Sequence, residues 1–128
     1  MEVKDLQFVE INGVVYINVT PHPINLIDGD EQVVLPSCGF VLNAQVAEEV
    51  VCERDGVVFV HTVFKGTEEG YAFLAECVKE FDREPIIIGS LIAAQAYPGQ
   101  VVALVPAPGF ERVPPGEKRM LLKKFTVF

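Results

Sequence analysis

Apolar and polar positions alternate in short runs along the first half of the chain, and each run ends at a turn signal. The runs FVEI and VVYINV flank Asn12-Gly13. That dipeptide predicts a tight hairpin, because both central residues of a type I′ turn need positive φ, which Asn and Gly tolerate. Thr20-Pro21-His22-Pro23 then interrupts the pattern, since each proline lacks an N–H for a ladder. INLI and EQVVL flank Asp28-Gly29-Asp30 as a second hairpin, and Pro36-Ser37-Cys38-Gly39 breaks the chain again before FVLNAQVA. A third turn, Arg54-Asp55-Gly56, joins EEVVCE to VVFVHTVF. Five or six strands are predicted within the first 64 residues.

From Thr67 the period changes from two to 3.6. Thr67 suits an N-cap and Glu68-Glu69 the positive end of a helix dipole. Tyr71, Leu74, Ala75, Val78 and Phe81 make an apolar stripe, and Glu76, Lys79, Glu80 and Asp82 a polar one. The spacing predicts an amphipathic helix over about 67–82 lying on a sheet. Three consecutive isoleucines, Ile86, Ile87 and Ile88, predict a strand covered on both faces. Ser90 can cap a short helix over about 90–97 that Pro98-Gly99 ends, and VVALV follows as a strand. This strand–helix–strand unit reads as a right-handed parallel crossover or, given its short linker, as an antiparallel arrangement. A proline- and glycine-rich loop precedes RMLLKKFTVF, expected to be an edge strand guarded by lysines. The whole predicts one domain over 1–128: α+β and strand-rich, a mixed or antiparallel sheet of about eight strands with two helices.

Composition narrows the class. The chain is 50% apolar with nine Phe, too hydrophobic for disorder. Its apolar stretches, at 57–64 and 85–96, fall short of the ~20 residues a membrane helix needs. Residues 1–5 open with charge rather than a leader's apolar region, so the expected protein is soluble and cytoplasmic. Charge is uneven: sixteen acids against five bases up to residue 84, then two against five. The acidic part repels nucleic-acid phosphates, which disfavours such partners. The basic run Lys118, Arg119, Lys123 and Lys124 reads as solvated charges, or as a contact for an acidic surface such as another copy's. Cys38, Cys52 and Cys77 lack any metal-ligand spacing and read as reduced thiols, with a disulfide between two of them left open. No metal or cofactor motif is present.

Candidate chemistry is sparse. His61 alternates within a strand and reads as a core or surface residue. His22 sits in a proline-stiffened turn, a placement that suits binding or local hydrogen bonding. Gly89-Ser90 opens the short helix, where free N–H groups could hold an anion or Ser90 could serve only as a cap. The stretch INVTPHPINLI, with VVLPSCGFV after a turn, resembles a family of small uncharacterised phage and prophage proteins carrying Asn-[Leu/Val]-Thr-Pro-His-x-[Ile/Val]-Asn. Asn18, Thr20, Pro21, His22, Ile24 and Asn25 match that pattern, and residues 89–98 resemble a later Ser-x-[Leu/Ile]-[Val/Ala]-x-Gln-Ala-x-Pro signature. The helix from Thr67 departs from the shorter linker of that pattern. The resemblance implies a viral origin and brings no activity. It groups Thr20, His22, Asn25 and Ser90 as a set that could line one polar pocket. Two functions are expected in that order: a non-catalytic accessory protein that binds a host protein or itself, or a binder of a small anionic, nucleotide-like ligand at that set.

Overall fold

The structure, a computed structural model, describes residues 6–128; the charged opening of the chain lies outside them. Nine strands and two α-helices follow in the order β1 (Val9–Ile11), β2 (Val14–Asn18), β3 (Ile24–Asp28), β4 (Glu31–Leu35), β5 (Ala44–Arg54), β6 (Val57–Gly66), α1 (Glu68–Glu80), β7 (Ile86–Gly89), α2 (Leu91–Ala96), β8 (Val102–Pro106) and β9 (Met120–Thr126). The fold is α+β, as the sequence pattern predicts. Among the described residues no helix is long and apolar enough to cross a membrane.

Turn chemistry sets the hairpins. Asn12 and Gly13 both have positive φ, as do Asp55 and Gly56, giving two-residue turns whose twist matches the strands they join. At the β3–β4 turn only Gly29, the first central residue, has positive φ, the type II′ pattern. The strands assemble into a mixed seven-stranded sheet, β1-β2-β7-β8-β9-β3-β4, and a separate two-stranded ribbon, β5-β6. β2, β7 and β8 run parallel to one another, so the short linker through α2 does make a parallel crossover. β9 is not an edge strand: it lies between β8, antiparallel, and β3, parallel. Its alternation resembles an edge because Lys123 and Lys124 are exposed, while Leu122 between its neighbours is fully buried.

The sheet curls. Asn18 at the end of β2 forms a parallel bridge with Ser37, just beyond β4, so the last strand returns beside the second. Alternation along β2 then feeds two cores. Tyr16 packs with Ile24, Leu26, Leu35, Ile88 and Leu122 within the curl. Val15, Ile17 and Val19 pack outward with Ile87 and Ala103 against α1 and α2. Burying each such aliphatic side chain is worth roughly 1.5–3 kcal/mol. β2 and β7 are therefore covered on both faces, as the isoleucine run predicts.

The buried face of α1 differs from the expected one. Gly70, Phe73, Leu74 and Cys77 are buried, whereas Tyr71 and Val78 are exposed. Both stripes have helical period; a tertiary contact decides between them. A Cβ on Gly70 would collide with the Tyr97 hydroxyl, so this face lets the helix approach Tyr97 at the end of α2, and Phe73 stacks on Phe40 with ring centroids 4.2 Å apart. Gly70→Ala is expected to lower stability by about 3 kcal/mol through overpacking. Gly116→Ala, whose Cβ would meet nothing, should stay within about 0.5 kcal/mol of wild type. Urea unfolding midpoints of the two variants check the difference.

Candidate functional site

The motif region is organised by Asn18. This residue ends β2 on the same face as Tyr16, is 0% exposed, and is a buried polar residue within an otherwise apolar core. An amide side chain has two N–H donors and an acceptor oxygen with two lone pairs. All four are used here. Nδ2 donates to the His22 carbonyl at 2.7 Å and the Leu35 carbonyl at 3.2 Å. Oδ1 accepts from the Thr20 N–H at 2.9 Å and the Thr20 hydroxyl at 2.6 Å. The Asn18 carbonyl takes the Cys38 N–H at 2.8 Å, and the Ser37 hydroxyl donates to the Thr20 carbonyl at 2.6 Å. Asn18 thus ties the end of β2 to the proline-bracketed turn and to the end of β4. The sequence motif includes Asn18, but the candidate set drawn from it is Thr20, His22, Asn25 and Ser90. The signal available was an Asn inside an apolar strand with a Thr two residues on, a pairing that makes local side-chain-to-backbone bonds.

The four expected site residues fare differently. Thr20 spends its hydroxyl on Asn18, with the His22 carbonyl 3.0 Å away as a second acceptor. His22 contributes that carbonyl to the network, and its residue is exposed. Asn25 pairs with Val34 across the β3–β4 ladder, between Ile24 and Leu26, which point into the curl, so it lies on the opposite face. The Ser90 hydroxyl accepts the Ala93 N–H at 3.0 Å as the N-cap of α2, a helix of six residues. Gly89 is needed for packing: a Cβ there would come within 2.8 Å of Val101 and 3.0 Å of Ala93. Thr20 and Ser90 do leave the sheet from neighbouring parallel strand ends, since Asn18 pairs with Ile88 and the Val19 N–H donates to the Ile88 carbonyl. Three surface depressions, of about 410, 130 and 160 Å³, lie elsewhere, and none is lined by Thr20, His22, Asn25 or Ser90. Among the described residues no group of His, Cys, Asp or Glu is placed to hold a metal ion.

A second buried anchor lies at Tyr97. Its hydroxyl donates to the Asn43 carbonyl at 2.7 Å and accepts the Thr67 N–H at 2.9 Å. Asn43 and Thr67 flank the two ends of the ribbon, so Tyr97 clamps its base. Beyond that base the ribbon is bare. Every residue from 48 to 62 is exposed, including Val50 at 70%, and β5 carries a bulge between Val50 and Cys52. Arg54 lies over the Phe59 ring at 5.0 Å. The basic run is partly spent within the chain, with Lys123 Nζ 2.9 Å from Asp28 Oδ2. That contact holds the ammonium above its ordinary value.

All three cysteines are free thiols. Cys38 and Cys77 share the outer core, and burial pushes both thiols up, Cys77 to about 12, with Cys38 and Glu76 adding to it. Cys52 is exposed on the ribbon. No family model, no curated protein and no solved structure matches this chain.

Two outcomes follow from this geometry. Asn18→Ala strips partners from two carbonyls, an N–H and a hydroxyl, and should cost about 3 kcal/mol, whereas Ser90→Ala should cost about 1 kcal/mol, as lost caps do. Chemical denaturation measures both. In native protein at pH 8, a thiol reagent should modify Cys52 rapidly and leave Cys38 and Cys77 to react only on unfolding. The fold favours protonated Cys77, so its contribution is complete below the ordinary value of 9.0 and is lost as pH rises toward about 12. Cys77→Ala should flatten that part of the stability–pH curve.

Proposed function

We propose that this chain is a small non-catalytic accessory protein that acts by self-association or protein–protein interaction, with the β5–β6 ribbon as its interacting surface. The observation that carries the reading is the uninterrupted exposure of residues 48–62. A lone two-stranded ribbon is marginal in water, and stability normally needs a third strand or a helix against an apolar face. Here Val46, Val50, Val58 and Val60 share one face by register and are all exposed. Exposed apolar surface such as the Val50, Val58 and Val60 cluster, bordered on the same face by Glu48 and Glu53, marks interaction sites. The resemblance of the Asn18–Asn25 segment to phage proteins fits a viral accessory role in the host cytoplasm, with a host protein or a second copy as partner. The ligand-binding alternative draws its support from the neighbouring exits of Thr20 and Ser90, but both hydroxyls already have intramolecular partners.

Replacing Val50, Val58 and Val60 by Thr keeps side-chain size and strand propensity while adding polarity. The variant should fold as wild type yet associate at least about tenfold more weakly, a loss of about 1.4 kcal/mol. Light scattering against concentration, beside far-UV circular dichroism, reads both. Unchanged association in the triple variant would remove the ribbon as the interacting surface.

A further inference from the structure

The two edges of the ribbon are not alike. β5 presents Glu48, Glu49, Glu53 and Arg54 and is broken by its bulge. Charges and bulges are the devices by which edge strands avoid pairing with another chain. β6 has neither along most of its length: Val57, Val58, Phe59, Val60, His61, Thr62, Val63 and Phe64 form an eight-residue run without Asp, Glu, Lys or Arg. Its register against β5 is unbroken on its own side. Among the described residues, 57–64 make no backbone hydrogen bond outside the β5 ladder. Strand alternation therefore leaves every second N–H and C=O of β6 aimed at solvent, in a segment whose side chains at 57–62 are exposed. α2 meets the ribbon only near its base, where Tyr97 holds Asn43 and Thr67.

We propose that the free edge of β6 is a pairing site for β6 of a second copy of this chain, joining two ribbons into one antiparallel four-stranded sheet. The proposal rests on the ribbon being the interacting surface and adds the partner and the geometry. The charge pattern selects a second copy. Antiparallel pairing of β5 with β5 would crowd Glu48, Glu49 and Glu53 of one copy against the same glutamates of the other across the seam, and like charges across strands are destabilising. Pairing β6 with β6 places neutral strand against neutral strand and keeps the two acidic β5 strands outermost. An antiparallel arrangement centred on Val60 sets Phe59 opposite His61 and Val58 opposite Thr62. These are aromatic and β-branched pairs of the kind that stabilise sheets. It is also self-complementary, as a two-fold interface requires. The valine face becomes continuous across four strands.

Single cysteines test the geometry. On a Cys52→Ser background, Val60→Cys puts two thiols on facing strands, with Cα atoms about 4.5–5.5 Å apart. Val50→Cys puts them on the two outer strands, three spacings or about 14 Å apart, beyond disulfide reach. Mild oxidation should give a covalent dimer from Val60→Cys and none from Val50→Cys; buried Cys38 and Cys77 do not compete. Val58→Lys with Val60→Lys, which guards the edge, should weaken association about 100-fold or more while circular dichroism stays that of the folded protein. Cross-linking through Val50 but not Val60, or association indifferent to the lysines, overturns β6 pairing. If the threonine variant still weakens association in that case, the ribbon stands as the interacting surface through another contact. A wild type that is strictly monomeric at about 100 µM overturns the second copy as partner and leaves the edge to a foreign strand.

Discussion

The rest of the domain depends on a polar side chain held inside an apolar core. Asn18 has no exposed surface and no unused hydrogen-bonding position. A buried amide left unpaired costs more than its bonds return when made, so the groups that satisfy it are fixed in place. Those groups are the Thr20–His22 turn and the Leu35 carbonyl, which belong to segments on either side of the β3–β4 hairpin. Satisfying Asn18 therefore brings the end of β4 to the end of β2, and the sheet must curl to allow it. The curl separates the two cores and covers β2 on both faces.

Tyr97 plays the corresponding part for the helical layer. It reaches Asn43 and Thr67 across the base of the ribbon, and its ring and hydroxyl fill the space that Gly70 leaves open. One buried phenol thus sets which face of α1 turns inward, ends α2 and holds the bases of β5 and β6 together. Past that anchor none of the described residues covers them.

The legible parts of the fold were those set by local chemistry. Asn12-Gly13 and Asp55-Gly56 impose their turn type through backbone conformation alone, and the caps Thr67 and Ser90 bond within three residues. What misled were decisions made at a distance. The α1 stripe through Tyr71 and Val78 is as periodic as the one through Gly70, Phe73 and Cys77; Tyr97, thirty positions beyond the helix start, chooses between them. β9 looks like an edge because its lysines are exposed, yet two strands pair with it. At the candidate site, the motif points to the right turn, and the local Asn18–Thr20 pairing is legible, but the burial of Asn18 against the distant Leu35 carbonyl is not. The bare valines of the ribbon read simply as strands, because an uncovered strand and one inside a core have the same composition.

If the free edge of β6 pairs with a second copy, the outward-facing amides of β6 are shielded from exchange only in the dimer. Amide hydrogen exchange across a dilution series tests this most directly. Amides of Val58, Val60 and Thr62 should be protected in concentrated protein and lose that protection on dilution, while Ile17, Ile88 and Leu122 in the two cores keep theirs throughout. Equal protection of the β6 amides at every concentration would contradict it.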